Sequence, residues 1–297
     1  MLPIERFVFQ CSVSVTGQTV MTFENIESSI DAIGAQDAAE KDRSPLNELV
    51  GRVLENGFGN GDDIAEYAGR QCYRSFGAGR PADEYIANIK AEGHGSVLEH
   101  SSLVFQIAGV SRNLTHELIR HRVGTAYSQE SQRYVDAKDM MFVVPPLLRD
   151  IVAGLSPEEV YMHPAFQRFA ASCSRDLETY VAMQDDYRAF LIEHGVTDRR
   201  ELKKRVNEAA RYNLPSAAET RLTFTCNMRE LRHILFMRGS VHADAEIRMF
   251  AHDLLPHARD YAPLIFADID FSGQATLARF GGDVVDQLNK IAAVGSK

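Results

Sequence analysis

Between residues 120 and 134 the chain reads Arg120-His121-Arg122-Val123-Gly124-Thr125-Ala126-Tyr127-Ser128-Gln129-Glu130-Ser131-Gln132-Arg133-Tyr134. Two guanidinium groups flank an imidazole. On a continuous helix Arg120 and Arg122 would diverge by about 200°. Val123, Gly124 and Thr125 continue a helix poorly. The spacing therefore predicts a helix that stops near His121, after which the chain turns extended. Three cationic or cationisable groups then crowd one reversal. An anion among them would relieve their repulsion, and arginine forks match phosphate or pyrophosphate oxygens. Glu130, Ser131 and Arg133 lie just beyond. A plainer reading of the same spacing is arginine near a helix C-terminus, favoured by the dipole. A nucleic-acid surface is a third, which the acidic chain disfavours.

Three other segments carry chemistry-bearing residues. Gly93-His94-Gly95-Ser96-Val97-Leu98-Glu99-His100 holds two histidines with five residues between them. They would suit a strand edge. With His252 and His257 they could also suggest zinc, but neither pair has the His-Glu-x-x-His order that sets a general base beside the metal. Arg211 stands four residues before Pro215 and could be a charge near a helix end. Asn227-Met228-Arg229-Glu230-Leu231-Arg232-His233 runs on through Arg238 to His242 and Ala243. Arg229 and His233 are four apart and share a helix face. Arg238 falls at the far end, roughly opposite them. Such a helix could touch two ligands or simply present a solvated face. Cys72 and Cys226 read as small buried residues.

Together these segments resemble the flavin-dependent thymidylate synthases. Arg120-His121-Arg122, then Ser131 and Arg133-Tyr134, is similar to that family's signature: Arg-His-Arg, seven residues, Ser, with Arg-Tyr close behind. Here eight residues separate Arg122 from Ser131, and the loop can bulge near Gly124-Thr125 without moving either end. The resemblance covers about residues 62–262. It implies methylation of dUMP at C5 to give dTMP, with 5,10-methylenetetrahydrofolate, NADPH and FAD. On this resemblance dUMP is held by Glu117, Arg120, Gln129, Glu130, Ser131, Arg133, Arg211 and Arg238. Arg133 and Arg211 then meet the phosphate, and Arg238 is the catalytic group against the pyrimidine. FAD falls to His94, Ser96, Arg120, His121, Arg122, Gln129, Asn227, Arg229 and His233, with His242 toward the folate side. The family needs no metal and no protein nucleophile. It is a homotetramer whose sites draw on several subunits, which suits candidates dispersed from 94 to 242. Two readings from other classes stand beside it: a noncatalytic nucleotide- or RNA-binding module built on 120–133, and a metal hydrolase built on the histidines.

The elements that must position these groups are legible as hydrophobic periodicity. Residues 46–56 and 62–74 look helical, and Pro81 with Asp83-Glu84 suits the start of another helix ending near Gly93. Leu103, Phe105 and Ile107 alternate as a strand. Helical spacing returns over 111–121, with Leu114 and Leu118 on one face. Ser156-Pro157-Glu158-Glu159 is a capping box. Phe166, Phe169, Cys173, Leu177 and Tyr180 place an amphipathic helix over 165–193, and another follows near 198–212. Thr220, Leu222, Phe224 and Cys226 share one side of a strand. Asn227 with Glu230 forms a second capping box, opening a helix that Gly239 stops. Ser240 is the expected cap of a last helix burying Ala243, Ile247, Phe250 and Leu254. The fold class is α+β: a mixed or antiparallel sheet with packed helices, like that of the flavin-dependent thymidylate synthases. Neither a Rossmann glycine motif nor a P-loop occurs. Residues 1–45 are expected to form a peripheral N-terminal β extension and linker, in which Phe7, Phe9, Cys11, Val13 and Val15 alternate, and residues 46–297 one catalytic domain.

The 297 residues carry 32 Lys+Arg against 41 Asp+Glu, a formal charge of −9, with 45% hydrophobic and 25% charged residues. That balance fits a globular chain and excludes a disordered tail or a disulfide scaffold. The acidic surplus argues against nucleic acid and anionic membrane as partners. The four scattered cysteines suit reduced thiols in the cytoplasm. No apolar run approaches the ~18 residues of a membrane span.

Overall fold

The computed structural model describes residues 2–22, 44–73, 75–76 and 79–272. The chain begins with β1 (Phe7–Val8) and β2 (Ser12–Gln18), and continues through α1 (Ser44–Asn56), α2 (Gly61–Tyr73) and α3 (Ala82–Ala91). After a 3-10 turn at Gly95–Glu99 come β3 (Ser102–Ser111), α4 (Arg112–Leu118), β4 (Thr125–Gln129) and β5 (Phe142–Val143). Four helices follow: α5 (Pro146–Ile151), α6 (Pro157–Met162), α7 (Pro164–Glu193) and α8 (Arg199–Ala210). A 3-10 turn at Arg211–Asn213 leads to β6 (Glu219–Asn227), α9 (Met228–Arg238) and α10 (Ala245–Tyr261). The linker expected within residues 23–43 and the tail from 273 lie outside the described residues.

Four strands pair in the order β2-β3-β6-β4, each pair antiparallel. The alternation read from the sequence fills their inner face. Leu103 faces Cys226, Phe105 faces Phe224 and Ile107 faces Leu222, all buried. Such directly opposed apolar pairs are the unit of sheet stabilisation. Leu231, Ile234 and Leu235 of α9 and Ile247, Phe250 and Leu254 of α10 close this core. β1 pairs in parallel with β5 and belongs to a second core. There Phe7 meets Phe166 edge-on at 5.0 Å, beside Cys173, Leu177 and Tyr180 of α7. Residues 7–18 are thus woven into both sheets, with Phe7 and Phe9 buried.

Several helix ends follow their sequence signals. Ser156 and Glu159 form the reciprocal capping box, and Asp198 caps α8. Others do not. α10 starts at Ala245 with Asp244 as its cap, not Ser240. The Ser240 hydroxyl accepts the His242 N–H and its carbonyl accepts that of Ala243, so Ser240 closes a turn instead. α4 ends at Leu118; the Arg120 and His121 N–H groups bond three residues back, tightening the chain before it leaves. Cys72 is exposed at the end of α2, whereas Cys226 is buried. No helix among the described residues is long and apolar enough to cross a membrane.

The helices at one edge of the sheet are tied by buried charge. Arg70 donates to Glu66 at 2.8 Å and lies 4.2 Å over the Tyr85 ring. The Asp62 carboxylate accepts the backbone N–H groups of Leu264 and Ile265 at 2.8 and 2.9 Å, anchoring the segment after α10. Burial, opposed by those two bonds, pushes Asp62 up to about 6. Its folded pKa lies above the unfolded value of about 3.9. The stability it contributes is therefore full at low pH and is lost as pH rises toward 6. Urea unfolding between pH 4 and 6.5 should show a smaller decline of stability with rising pH in Asp62→Asn than in the wild type.

Candidate functional site

β6 runs directly into α9, and the junction is where the candidates gather. Asn227 ends the strand and caps the helix, its side chain accepting the Glu230 N–H at 2.9 Å. The Asn227 N–H donates to the Gly124 carbonyl at 2.9 Å. The second half of the expected capping box is consequently not made. Glu230 instead turns its carboxylate to His121 Nδ1, 3.0 Å away.

Gly124 is held in the left-handed region, φ 68°, and a Cβ there would stand 2.1 Å from Asn227 Nδ2. β4 pairs with β6 from Thr125↔Cys226 to Gln129↔Leu222 without a register shift. The strand itself thus carries no bulge, and Gly124 makes the turn just ahead of it.

His121 is 7% exposed, whereas Arg120 and Arg122 on either side face solvent. The Thr125 and Tyr127 hydroxyls both donate to the His121 carbonyl, at 2.8 and 2.6 Å. The Arg238 Nε–H donates to His121 Nε2 at 3.0 Å, and its terminal nitrogens donate to Glu117 Oε2 at 2.9 Å and the Glu117 carbonyl at 3.2 Å. His233 packs edge-on against the His121 ring at 5.5 Å. Burial lowers the His121 pKa; Arg238 adds to this and Glu230 opposes it. Arg238 and His233, expected on opposite sides of α9, thus meet on one ring. The two residues leave the helix in different directions, and the length of the arginine side chain brings its guanidinium back to the ring.

At the start of α9, Arg229 donates to Glu99 at 2.5 Å and lies against Gly95, where a Cβ would be 3.0 Å from its Nε. This brings in the 93–100 segment, with Ser96 exposed in its 3-10 turn and His94 stacked on Tyr73 at 5.9 Å.

The remaining candidates sit elsewhere in the same chain. Gln129 donates to the Thr115 and Thr220 hydroxyls at 3.1 and 3.2 Å. Past the end of β4, Arg133 donates to Glu208 at 2.8 Å, and its N–H meets the Ser131 hydroxyl at 3.4 Å. Arg211 lines a cavity of about 350 Å³ with Tyr187, Arg205, Glu208 and Tyr212. The Glu130 carbonyl accepts from Arg112 at 2.6 Å. β4 spans five residues, about 16 Å, and separates this second cluster from Arg238. In the sequence Glu230 reads only as a cap, and no spacing singles out Arg112 or Glu208. A carboxylate two turns before an arginine was the available signal for Glu230.

His121, Glu230 and His233 bring three potential ligand atoms within 4.8 Å. Glu230 engages one His121 nitrogen and the Arg238 cation the other. A guanidinium beside the ring opposes a metal cation, so we read a hydrogen-bond chain there. Burial raises the thiols of Cys11, Cys173 and Cys226, leaving them poor nucleophiles.

Residues 53–264 match the family described as thymidylate synthase complementing protein. A flavin-dependent thymidylate synthase of Mycobacterium avium is 42% identical over 222 residues, covering 73% of this chain and 82% of that protein. The one from Mycobacteroides abscessus is 41% identical over 222 residues, with the same coverage. That of Mycobacterium tuberculosis is 40% identical over 214 residues, covering 71% and 80%. The matched stretch contains both clusters of polar groups described above, and the chain belongs to the flavin-dependent thymidylate synthases.

Proposed function

We propose that this enzyme methylates C5 of dUMP to give dTMP, taking carbon from 5,10-methylenetetrahydrofolate and electrons from NADPH through FAD. The convergence of Glu117 and His121 on Arg238 carries the reading, because it holds a guanidinium at a part-buried site with donors to spare. A polyanionic cofactor with an apolar ring needs cations and apolar surface side by side. Exposed Arg120, Arg122 and Arg229 supply the cations. Exposed Val123, Phe236 and Met237 supply apolar surface on the same two segments. These residues fit FAD. His94, Ser96, His121, Gln129, Asn227 and His233 would complete its contacts. When bound, FAD relays reducing equivalents from NADPH.

The chain's own groups do the rest. Arg238 faces the uracil and stabilises the negative charge that develops as C5 becomes electron-rich. Glu117 and His121 keep it there. Arg133 and Arg211 take the nucleotide phosphate, beside Glu130 and Ser131. Within one chain β4 holds these groups apart from Arg238. We therefore infer that one complete site joins the two clusters from different subunits of a homotetramer, acting in the cytoplasm.

Purified protein should be yellow with a flavin absorption band. It should release tritium from dUMP labelled at C5, forming dTMP, only when FAD, NADPH and the folate are all supplied. Colourless protein that takes up no FAD, or no tritium release in the full mixture, would overturn the reading.

A further inference from the structure

We propose that Glu230 is a positioning residue for Arg238, acting through the His121 ring. The inference rests on the reading that Arg238 serves the pyrimidine. A guanidinium has five N–H donors and no acceptor, and it stays protonated. The direction of the 3.0 Å bond from Arg238 Nε to His121 Nε2 is therefore settled: Nε2 is the bare nitrogen. The imidazole proton then sits on Nδ1, where Glu230 accepts it at 3.0 Å. A carboxylate on one nitrogen selects the tautomer presented at the other.

Among the described residues, Glu230 is the carboxylate that meets the ring, and it supports from Nδ1 the tautomer that the Arg238 donor requires at Nε2. From α9 the ring meets Glu230, His233 and Arg238; from α4 Glu117 reaches Arg238 and not the ring; Arg120 and Arg122 beside it point to solvent. Burial confines the ring, and the two hydroxyls on the His121 carbonyl fix the backbone that carries it. Glu230 is free for the role because its usual capping target, the Asn227 N–H, is bonded to Gly124. Arg238 spends one N–H on His121 and two on Glu117, which leaves two for a ligand.

Without the carboxylate, Nδ1–H loses its acceptor, and the tautomer with the proton on Nε2 gains population. Two N–H groups then oppose each other, and Arg238 loses one of its three anchors. Protonation of His121 has the same effect, so turnover falls as pH drops through its pKa. A glutamine at 230 still accepts from Nδ1–H but lacks the charge that favours the imidazolium. It preserves the tautomer and moves the acid limb to lower pH.

The test compares wild type, Glu230→Ala, Glu230→Gln and Arg238→Ala as FAD-loaded enzyme, with kcat measured from pH 5.5 to 9 and dUMP affinity by calorimetry. Glu230→Ala should lose about tenfold in kcat and in dUMP affinity, in line with losses on removing the partner that orients a histidine. Glu230→Gln should stay within about threefold of wild type at pH 8, with its acid limb displaced downward. Wild-type kcat and affinity in Glu230→Ala, alongside an inactive Arg238→Ala, would overturn the role of Glu230 and leave the site reading intact. Glu230→Gln as impaired as Glu230→Ala, with an unmoved acid limb, would also overturn it. Full turnover by Arg238→Ala would remove the underlying reading itself.

Discussion

Arg238→Ala is expected to lower kcat by ~10²–10³-fold, the cost of deleting one donor aimed at developing charge. FAD content should stay near the wild-type level, because the cofactor reading assigns Arg238 no flavin contact. The site explains why the loss should fall on turnover. Arg238 bridges α4 and the loop at His121 from the last residue of α9, and its side chain is 19% exposed. Its removal leaves no cation within that set of partners. Arg238→Lys should be nearly as impaired. An ammonium is a compact point charge that cannot span His121 Nε2 and both Glu117 oxygens at once. Tritium release from C5-labelled dUMP, set against the flavin absorbance of the same preparation, checks both variants. A loss confined to KM, with kcat intact, would mean that Arg238 only binds.

The largest effect on folding is expected from Gly124→Ala. The new methyl would need the left-handed backbone, at roughly 1–2 kcal/mol. It would also occupy the space of the Asn227 amide, 2.1 Å away. Either Asn227 gives up its cap, worth about 1 kcal/mol, or the turn shifts and the Gly124–Asn227 backbone bond is lost. A destabilisation of ~3 kcal/mol follows, which lowers Tm by several degrees in a chain this long. Arg229, Glu230 and His233 all follow from Asn227, so FAD retention should fall with Tm. Gly154→Ala is the control, since Gly154 has φ 80° but nothing within 4 Å of a Cβ. Calorimetric melting and flavin content measure both. Equal effects in the two variants would show that backbone strain alone is responsible.

Much of the scaffold was legible because its signals are local. The rows Leu103-Phe105-Ile107 and Leu222-Phe224-Cys226 pair as their alternation requires, and the inward stripe of α7 buries Phe166, Cys173 and Tyr180. Turn chemistry was harder. Ser240 and Asp244 are both competent caps, and only the path of the chain after Gly239 favours the second. Cys72 was read as buried, but residue type says little about which side of α2 faces the core. The site was legible in content more than in arrangement. His233 and Arg238 diverge by about 140° around their helix, yet a ring from residue 121 lies between them. No periodicity within α9 encodes that third party. The distance between Arg238 and the Arg133–Arg211 end is likewise a matter of how β4 docks on β6, which is invisible in residue spacing.

Met228, Leu231, Ile234 and Leu235 of α9 are fully buried beneath the groups that hold Arg238. The guanidinium proposed to meet the charge on uracil is therefore carried by a helix whose inner face is fully buried. Its bonds to His121 and Glu117 are made within the fold itself. On the proposed function, an arriving nucleotide would meet a charge already held in place by the fold.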